Sequence, residues 1–133
     1  MAENTLVGKK VLLVDDDADI LAAMLAAFNE TGAQVMTAAD GNKAVEVASQ
    51  NAPDLVVLDM MLPKRSGFLV LEKIKPQRKK GSKPLVIMVT GNPGKRHQEY
   101  AESLGVERYM NKPIRMERLI KEAETLLGVA EQA

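Results

Sequence analysis

The chain has 133 residues, 46% of them hydrophobic, and its 18 basic and 18 acidic residues give a formal net charge of +0. This length fits one globular domain with a substantial core and does not fit two, while the balanced charge argues against a general nucleic-acid binder. The absence of cysteine excludes disulfides, thiolate zinc sites and a cysteine nucleophile, and it fits a reducing compartment.

Neither a secretion signal nor a membrane span is evident in the sequence. Residues 1–7 lack the cationic start and the apolar run of a signal peptide. The longest apolar stretch, residues 21–28, is far too short to cross a bilayer. We therefore expect a soluble, cytoplasmic protein.

Short apolar runs of the β type alternate along the chain with apolar residues at helical spacing. This alternation is typical of βαβ units wound into a parallel sheet, so the sequence predicts an α/β fold with five strand–helix pairs. The predicted strands are 11–14, 34–38, 54–59, 85–89 and 108–111. The predicted helices are one between Asp17, which caps it, and Gly32, which ends it, then 42–50, a helix through 69–74 that Pro76 stops, 95–104 and 116–127.

Polar residues end or directly follow four of the predicted strands: Asp15 and Asp16, Asp59, Thr90, and Lys112. Because the carboxyl ends of parallel strands meet at one edge of the sheet, we expect these side chains to surround one cavity. Three carboxylates so close together repel one another, and a hard divalent cation between them relieves the repulsion. The sequence therefore predicts a Mg²⁺ site.

The same residues suit a phosphoryl group. A cation, the Lys112 ammonium and the Thr90 hydroxyl can each neutralise or bond one of its equatorial oxygens. Aspartate forms acyl phosphates in known enzymes, so we predict that Asp59, at the carboxyl end of the central strand, is the nucleophile.

These motifs resemble the receiver domain of bacterial response regulators, the phospho-acceptor half of two-component signalling. Each motif is weak alone, but together and in this order they are specific, and the resemblance runs from about Lys10 to Leu127. The matching pieces are Asp15-Asp16 after strand one, Asp59 followed by Leu62-Pro63 and Gly67, Thr90-Gly91 after strand four, and Tyr109-Met-Asn-Lys112-Pro113 at strand five.

The resemblance implies a flavodoxin-like, doubly wound five-stranded parallel sheet with strand order 2-1-3-4-5 and helices on both faces. It implies that Asp59 is the phosphorylated aspartate. It further implies that Asp16 binds Mg²⁺ directly, that Asp15 binds it through water, and that Asp59 and the backbone carbonyl of Met61 complete the ligand set.

Three further residue roles follow from the same resemblance. Thr90 and Lys112 would contact the phosphoryl group, and the Lys112–Pro113 bond would be cis. Tyr109 would be the aromatic residue that changes rotamer on activation, together with Thr90.

The resemblance also implies partners. A histidine kinase or a histidine phosphotransfer protein would donate the phosphoryl group, and a downstream protein would bind the activated surface. We expect no direct contact with nucleic acid or membrane, and a monomer or a weak phosphorylation-dependent dimer. The receiver domain is predicted over residues 8–128, with short tails at 1–7 and 129–133.

Three residues depart from common family patterns, and one of them is Ile114, which replaces the frequent Phe after Lys-Pro. Arg115 stands where many members cap the last helix with Ser, Thr or Asp, so we expect this helix to start loosely or to be capped from elsewhere. Glu122 stands near the position where one DNA-binding subfamily keeps an Arg for its active dimer.

Other polar and sulfur-containing residues have simpler interpretations. His97 is predicted to be exposed, without a role. Met60 and Met61 are predicted to pack as apolar side chains. A basic run is predicted to be a solvated loop in preference to a nucleic-acid patch, with a docking role left open; it comprises Lys73, Lys75, Arg78, Lys79, Lys80 and Lys83.

Two classes of function remain in competition. The first is a phosphorylation-switched interaction module that is not an enzyme for a separate substrate. The second is a Mg²⁺-dependent phosphatase with an aspartyl nucleophile, but that class places a second Asp two residues after the first, where this chain has Met61. A nucleotide-binding domain is a weaker third interpretation, since no Gly-rich loop follows strand one. The sequence favours the module.

Overall fold

The structure is a computed structural model that describes residues 4–91 and 94–128. In this part of the chain, five strands alternate with five helices, as the sequence predicts. The strands are β1 (Lys10–Val14), β2 (Gln34–Ala38), β3 (Leu55–Asp59), β4 (Leu85–Thr90) and β5 (Arg108–Asn111), and the helices are α1 (Ala18–Asn29), α2 (Gly41–Asn51), α3 (Gly67–Ile74), α4 (Lys95–Ser103) and α5 (Met116–Leu126).

The strands form one sheet in the order β2-β1-β3-β4-β5, and each neighbouring pair is parallel. The predicted strand order is therefore confirmed. All five residues of β3 are buried, as expected for a central strand covered on both faces.

The two faces of the sheet carry separate apolar cores. Alternate strand residues point to opposite faces, so Leu12 and Leu58 lie in one core, and Leu13 and Val57 lie in the other. Helices α2, α3 and α4 cover the first core, and α1 and α5 cover the second. Each fully buried Leu or Val contributes about 1.5–3 kcal/mol. The predicted arrangement of helices on both faces is confirmed.

Side-chain caps explain where several helices begin. The Asp17 carboxylate accepts hydrogen bonds from the backbone N–H groups of Asp19 and Ile20 at the start of α1, as predicted. Such a cap stabilises a helix by about 1 kcal/mol. Helix α5 begins after Arg115 without a side-chain cap, which agrees with the expectation for this residue. Helix α1 ends at Asn29, three residues before Gly32.

The start of the chain packs more closely than the predicted boundary at residue 8 implies. Leu6 is wholly buried in the core beneath α1 and α5. The Thr5 hydroxyl donates to the Glu124 carboxylate at 2.7 Å, and the Asn4 N–H donates to the Glu30 carbonyl at 3.1 Å. Residues 4–7 therefore belong to the packed domain, and the remainder of the predicted tails, 1–3 and 129–133, lies outside the described residues.

The prediction of a solvated basic loop is wrong for Lys75. Its side chain is buried and its ammonium lies 3.0 Å from the Glu107 carboxylate and 3.0 Å from the Pro84 carbonyl. Lys83 is exposed, but its ammonium lies 3.0 Å from the Asp54 carboxylate. Helical spacing explains Lys75, since it follows the buried Leu71 by one turn.

The prediction that His97 is simply exposed is also wrong. Its ring stacks on Phe68 with centroids 6.0 Å apart. The His97 Nδ1 atom is buried and has no hydrogen-bond partner among residues 4–91 and 94–128. Phe68 also meets the edge of Tyr100, so an aromatic contact between α3 and α4 covers the histidine.

None of the helices in the described part of the chain is both long enough and apolar enough to cross a membrane.

Candidate functional site

The predicted site residues meet at the carboxyl edge of the sheet. Asp59 is the last residue of β3, and Asp15 directly follows β1, the neighbouring strand. Thr90 ends β4 on the other side of β3, and Lys112 directly follows β5. The strand order thus brings the ends of four strands to one place, as parallel sheets do.

Three carboxylates form the centre of this site. Asp15, Asp16 and Asp59 each offer an oxygen, and these atoms all lie within 4.8 Å of one another. Asp15 and Asp59 are buried, whereas Asp16 is exposed to solvent. Three hard oxygen donors with an open side are suited to holding Mg²⁺, which keeps several of its own waters when protein carboxylates bind it.

Lys112 is the cation beside these carboxylates. Its ammonium lies 2.9 Å from Asp15 Oδ2 and 3.3 Å from Asp59 Oδ2. The Lys112 backbone N–H donates to the Thr90 carbonyl at 2.8 Å, which fixes the start of this loop to the end of β4. The Lys112–Pro113 bond is cis, as the resemblance implies.

Backbone N–H groups orient the two buried carboxylates. Asp15 Oδ1 accepts from the N–H of Asp17 at 2.9 Å, and Asp59 Oδ1 accepts from the N–H of Met61 at 3.2 Å. With Lys112 on the Oδ2 atoms, each carboxylate is held through both of its oxygens. The site is therefore organised by the chain itself.

Burial and neighbouring charges shift the pKa values of two groups in this site, Asp59 and Lys112. Burial raises the pKa of the Asp59 carboxyl above its ordinary value, and the charge on Asp15 adds to the rise, while Lys112 and the Met61 N–H offset only part of it. Burial would lower the pKa of Lys112, but its hydrogen bond to Asp15 and the charge of Asp59 outweigh that effect and raise it. Additional positive charge in the site would stabilise ionised Asp59.

Two glycines allow the loop after Asp59 to pack tightly, and the sequence analysis missed this role. A Cβ on Gly67 would lie 2.4 Å from the Asp59 carbonyl oxygen, and the Gly67 N–H donates to the Met60 carbonyl at 2.8 Å. A Cβ on Gly41 would overlap the Arg65 carbonyl. Only glycine fits at either position without a shift of backbone. Asp40 caps α2 by accepting from the Lys43 N–H, and a glycine directly after this cap, Gly41, is the signal that the sequence offers.

The other predicted residues occupy different environments. Met60 is buried in the core, but Met61 is 64% exposed, so the prediction of apolar packing is wrong for Met61. Thr90 is wholly buried at the end of β4, the strand that pairs with β3 and therefore lies next to Asp59. Tyr109 in β5 is half-buried against the core under α4, and burial raises its pKa.

Comparison with known proteins identifies the architecture. Residues 11–124 match the response regulator receiver domain. The alkaline phosphatase synthesis transcriptional regulatory protein PhoP of Bacillus subtilis is 34% identical over 105 residues, which is 79% of this chain. The chain spans 42% of the length of that relative.

Solved structures of receiver domains are similar to this chain as well. A CheY-like receiver domain protein from Methanospirillum hungatei is 26% identical with a TM-score of 0.81, covering 94% of this chain and 98% of that one. A Francisella response regulator receiver domain is 27% identical with a TM-score of 0.80, covering 90% and 96%.

A third structure is the receiver domain of a sensor histidine kinase from Pseudomonas aeruginosa, described with a magnesium ion coordinated in its active-site cleft. It is 26% identical with a TM-score of 0.79, and the match covers 92% of this chain and 99% of that one. Sequence match, strand order and site geometry together lead to one conclusion: the chain belongs to the response regulator receiver domain family.

Proposed function

We propose that this receiver domain accepts a phosphoryl group on Asp59 from a histidine kinase or a histidine phosphotransfer protein, with Mg²⁺ as cofactor, and that phosphorylation switches a surface that binds a downstream protein. The observation that carries this proposal is the arrangement of Lys112 with the carboxylates of Asp15 and Asp59, at 2.9 and 3.3 Å, at the carboxyl edge of the sheet.

The residues fit Mg²⁺. Asp15, Asp16, Asp59 and the Met61 carbonyl would hold the ion, and a bound cation would offset the burial and the Asp15 charge that together raise the pKa of Asp59. The magnesium ion in the related Pseudomonas structure supports the same assignment. When bound, the cation neutralises negative charge on the phosphoryl oxygens.

The chemistry at Asp59 is a displacement at phosphorus. An Asp59 carboxylate oxygen forms a bond to the phosphorus of a phosphohistidine donor, and the P–N bond breaks with its electron pair going to the imidazole nitrogen. The Lys112 ammonium, already beside Asp59, neutralises one phosphoryl oxygen. The Thr90 hydroxyl donates to another.

The switch follows from the charge of the product. Phosphorylation turns a single carboxylate charge into a dianionic group, which draws the Thr90 hydroxyl and the Gly91 loop inward. Tyr109 then moves to a buried rotamer and reshapes the surface of α4, β5 and α5. Coupling of this kind is typically worth about 1–3 kcal/mol, so it shifts a population without making a new fold.

The alternative, a phosphatase acting on a separate substrate, lacks its acid/base residue. That class needs a carboxyl group two residues after the nucleophile, and Met61 supplies only an exposed thioether. We therefore propose a signalling module whose chemistry is limited to its own phosphorylation and dephosphorylation. The cytoplasmic location and the monomer or weak dimer remain predictions.

Phosphorylation with purified protein tests the assignment. Incubation with acetyl phosphate and Mg²⁺, or with autophosphorylated histidine kinases, should add one phosphoryl group, measured by intact mass. Asp59→Asn should abolish it, and Asp54→Asn, at the other end of β3, should not. Phosphate retained by Asp59→Asn would contradict the proposal.

A further inference from the structure

A groove of about 520 Å³ lies between the start of α2, the loop 60–66 and α3, outside the carboxylate site. Four cationic side chains line it, together with a single carboxylate, that of Glu72. The cationic residues are Lys64, Arg65, Lys73 and Arg78.

The groove concentrates positive charge in a chain whose formal net charge is +0. The Glu72 carboxylate accepts a hydrogen bond from the Tyr100 hydroxyl at 3.0 Å, which engages it toward α4. Lys73 and Arg78 make no side-chain hydrogen bond or ion pair within residues 4–91 and 94–128. Two cations thus remain available to a ligand.

The basic run of the sequence divides into two groups at this point. Lys75 and Lys83 are engaged with Glu107 and Asp54 and serve the fold. Lys73 and Arg78 instead line the groove. The basic residues whose docking role the sequence left open are therefore Lys73 and Arg78, which the carboxylate site does not use.

The chemistry of the groove indicates the ligand. Arginine forks bind phosphate in two parallel hydrogen bonds, and lysine adds point charges. Leu69 is 52% exposed in the groove and offers an apolar surface to a ring. The volume is that of a small-molecule site. We propose that the groove binds a phosphorylated small molecule of about nucleotide size.

The groove is connected to Asp59 through the loop 60–66. Lys64 and Arg65 lie in this loop, and the loop is pressed between Gly41 and the start of α3. A ligand held by Arg65 would therefore bias the position of the residues that follow Asp59. If Asp59 is the phospho-acceptor, as proposed above, ligand and phosphoryl group influence each other by the same factor.

Binding can be tested independently of phosphorylation. The ¹⁵N-labelled full chain is titrated with ATP in EDTA, without Mg²⁺ or a phosphodonor. We expect saturable shifts at the backbone amides of Arg65, Leu69 and Lys73, weaker shifts at the same amides with pyrophosphate, and none with adenosine. Absence of saturation, or shifts confined to the amides of Asp15 and Lys112, overturns the proposal.

Matched variants separate recognition from bulk charge. Arg65→Gln with Arg78→Gln should raise the Kd for ATP about tenfold. Lys79→Gln with Lys80→Gln removes the same charge from residues that do not line the groove and should change the Kd less than about twofold. Equal loss in the two double variants overturns the site.

Two controls are needed. The amide shifts of α1 and α5 show whether each variant is folded. The double variant Arg65→Lys with Arg78→Lys keeps the positive charge but removes the guanidinium forks, so it should weaken ATP binding at least threefold. A poly-glutamate peptide that binds the same amides more tightly than ATP overturns the small-molecule assignment in favour of an acidic peptide.

Discussion

The two ends of the central strand β3 carry aspartates in opposite electrostatic situations. Asp54, just before the strand, accepts a hydrogen bond from the Lys10 N–H at 2.8 Å and pairs with Lys83. Burial alone would raise the pKa of Asp54, but these two partners outweigh it, so the pKa is lowered. Asp59, at the other end, has a raised pKa.

The same contrast extends along both edges of the sheet. At the amino edge the buried Lys75–Glu107 pair is fully bonded, since Glu107 also accepts from the backbone N–H groups of Gly81 and Val86. At the carboxyl edge one ammonium, that of Lys112, is shared between the two buried carboxylates of Asp15 and Asp59. One edge satisfies its charges internally, whereas the other holds clustered carboxylates with a raised pKa at Asp59, an arrangement typical of functional sites.

Removing the buried cation at the amino edge, Lys75, should have the largest effect on the free energy of unfolding. Lys75→Met leaves Glu107 buried without its cation, so the free energy of unfolding should fall by about 3–5 kcal/mol. Urea unfolding measures it. Lys79→Met, an exposed neighbour in the chain, should change it by less than about 0.5 kcal/mol. Equal effects of the two substitutions would refute the structural role of the pair.

At the carboxyl edge, removing the Thr90 hydroxyl should uncouple the switch. Thr90→Ala should still be phosphorylated at Asp59 but lose the coupling of about 1–3 kcal/mol to the surface around Tyr109. NMR shifts at Tyr100, Tyr109 and Lys121 with a bound phosphate mimic provide the measurement. Thr90→Ser keeps a hydroxyl and should behave as wild type. Identical shifts in Thr90→Ala and wild type would rule out this route.

Mg²⁺ should stabilise the protein through the carboxyl edge alone. At ten times its Kd, Mg²⁺ should add about 1.4 kcal/mol to the free energy of unfolding, because it binds the native cluster. Thermal melts should show this gain in wild type and Asp54→Asn, and its loss in Asp16→Ala. An undiminished gain in Asp16→Ala would remove this residue from the ion site.

The pH dependence should have opposite signs at the two ends of β3. The folded protein holds a proton on Asp59 more tightly than the unfolded chain, so stability falls as pH rises from the ordinary Asp value through the raised one. Asp54 has a lowered pKa, so its contribution is present above the ordinary value and is lost as pH falls through the lowered one.

Replacing each aspartate by the neutral Asn should show whether its charge raises or lowers the free energy of unfolding. Without metal at pH 7, Asp59→Asn should raise the free energy of unfolding by about 1 kcal/mol, with Lys112 still paired to Asp15. Asp54→Asn should lower it by about 0.5 kcal/mol. Both differences should shrink as the pH is lowered and the carboxyls are protonated, first for Asp59 with its raised pKa and later for Asp54 with its lowered pKa. A loss of stability in Asp59→Asn at pH 7 would contradict the electrostatic account.

The sequence was sufficient for the parts of the molecule that depend on pattern. Apolar runs that lead into Asp15, Asp59 and Thr90 specify strands whose carboxyl ends carry the site, and the resemblance supplied the strand order and the role of Lys112 after β5. Single-residue environments were harder. Helical spacing indicates that Lys75 follows Leu71 on the inner face, but its partner, a glutamate 32 residues away, depends on how α3 packs.

His97 and the two glycines were missed for a similar reason. The cover over His97 comes from Phe68, on a different helix. The close approach of Gly41 to Arg65 depends on the path of the loop after β3, which is set by tertiary packing. Local sequence does not encode these distances.

The contact between Thr5 and Glu124 joins residues 119 positions apart, and Leu6 beside it is wholly buried. During synthesis the amino end of the chain emerges from the ribosome first. Leu6 and its neighbours therefore cannot pack against α5 until that helix has emerged. Loop closure over such a separation is slow compared with helix formation. The core shared by α1 and α5 is therefore completed late, and we expect the nascent domain to be most prone to aggregation before α5 packs.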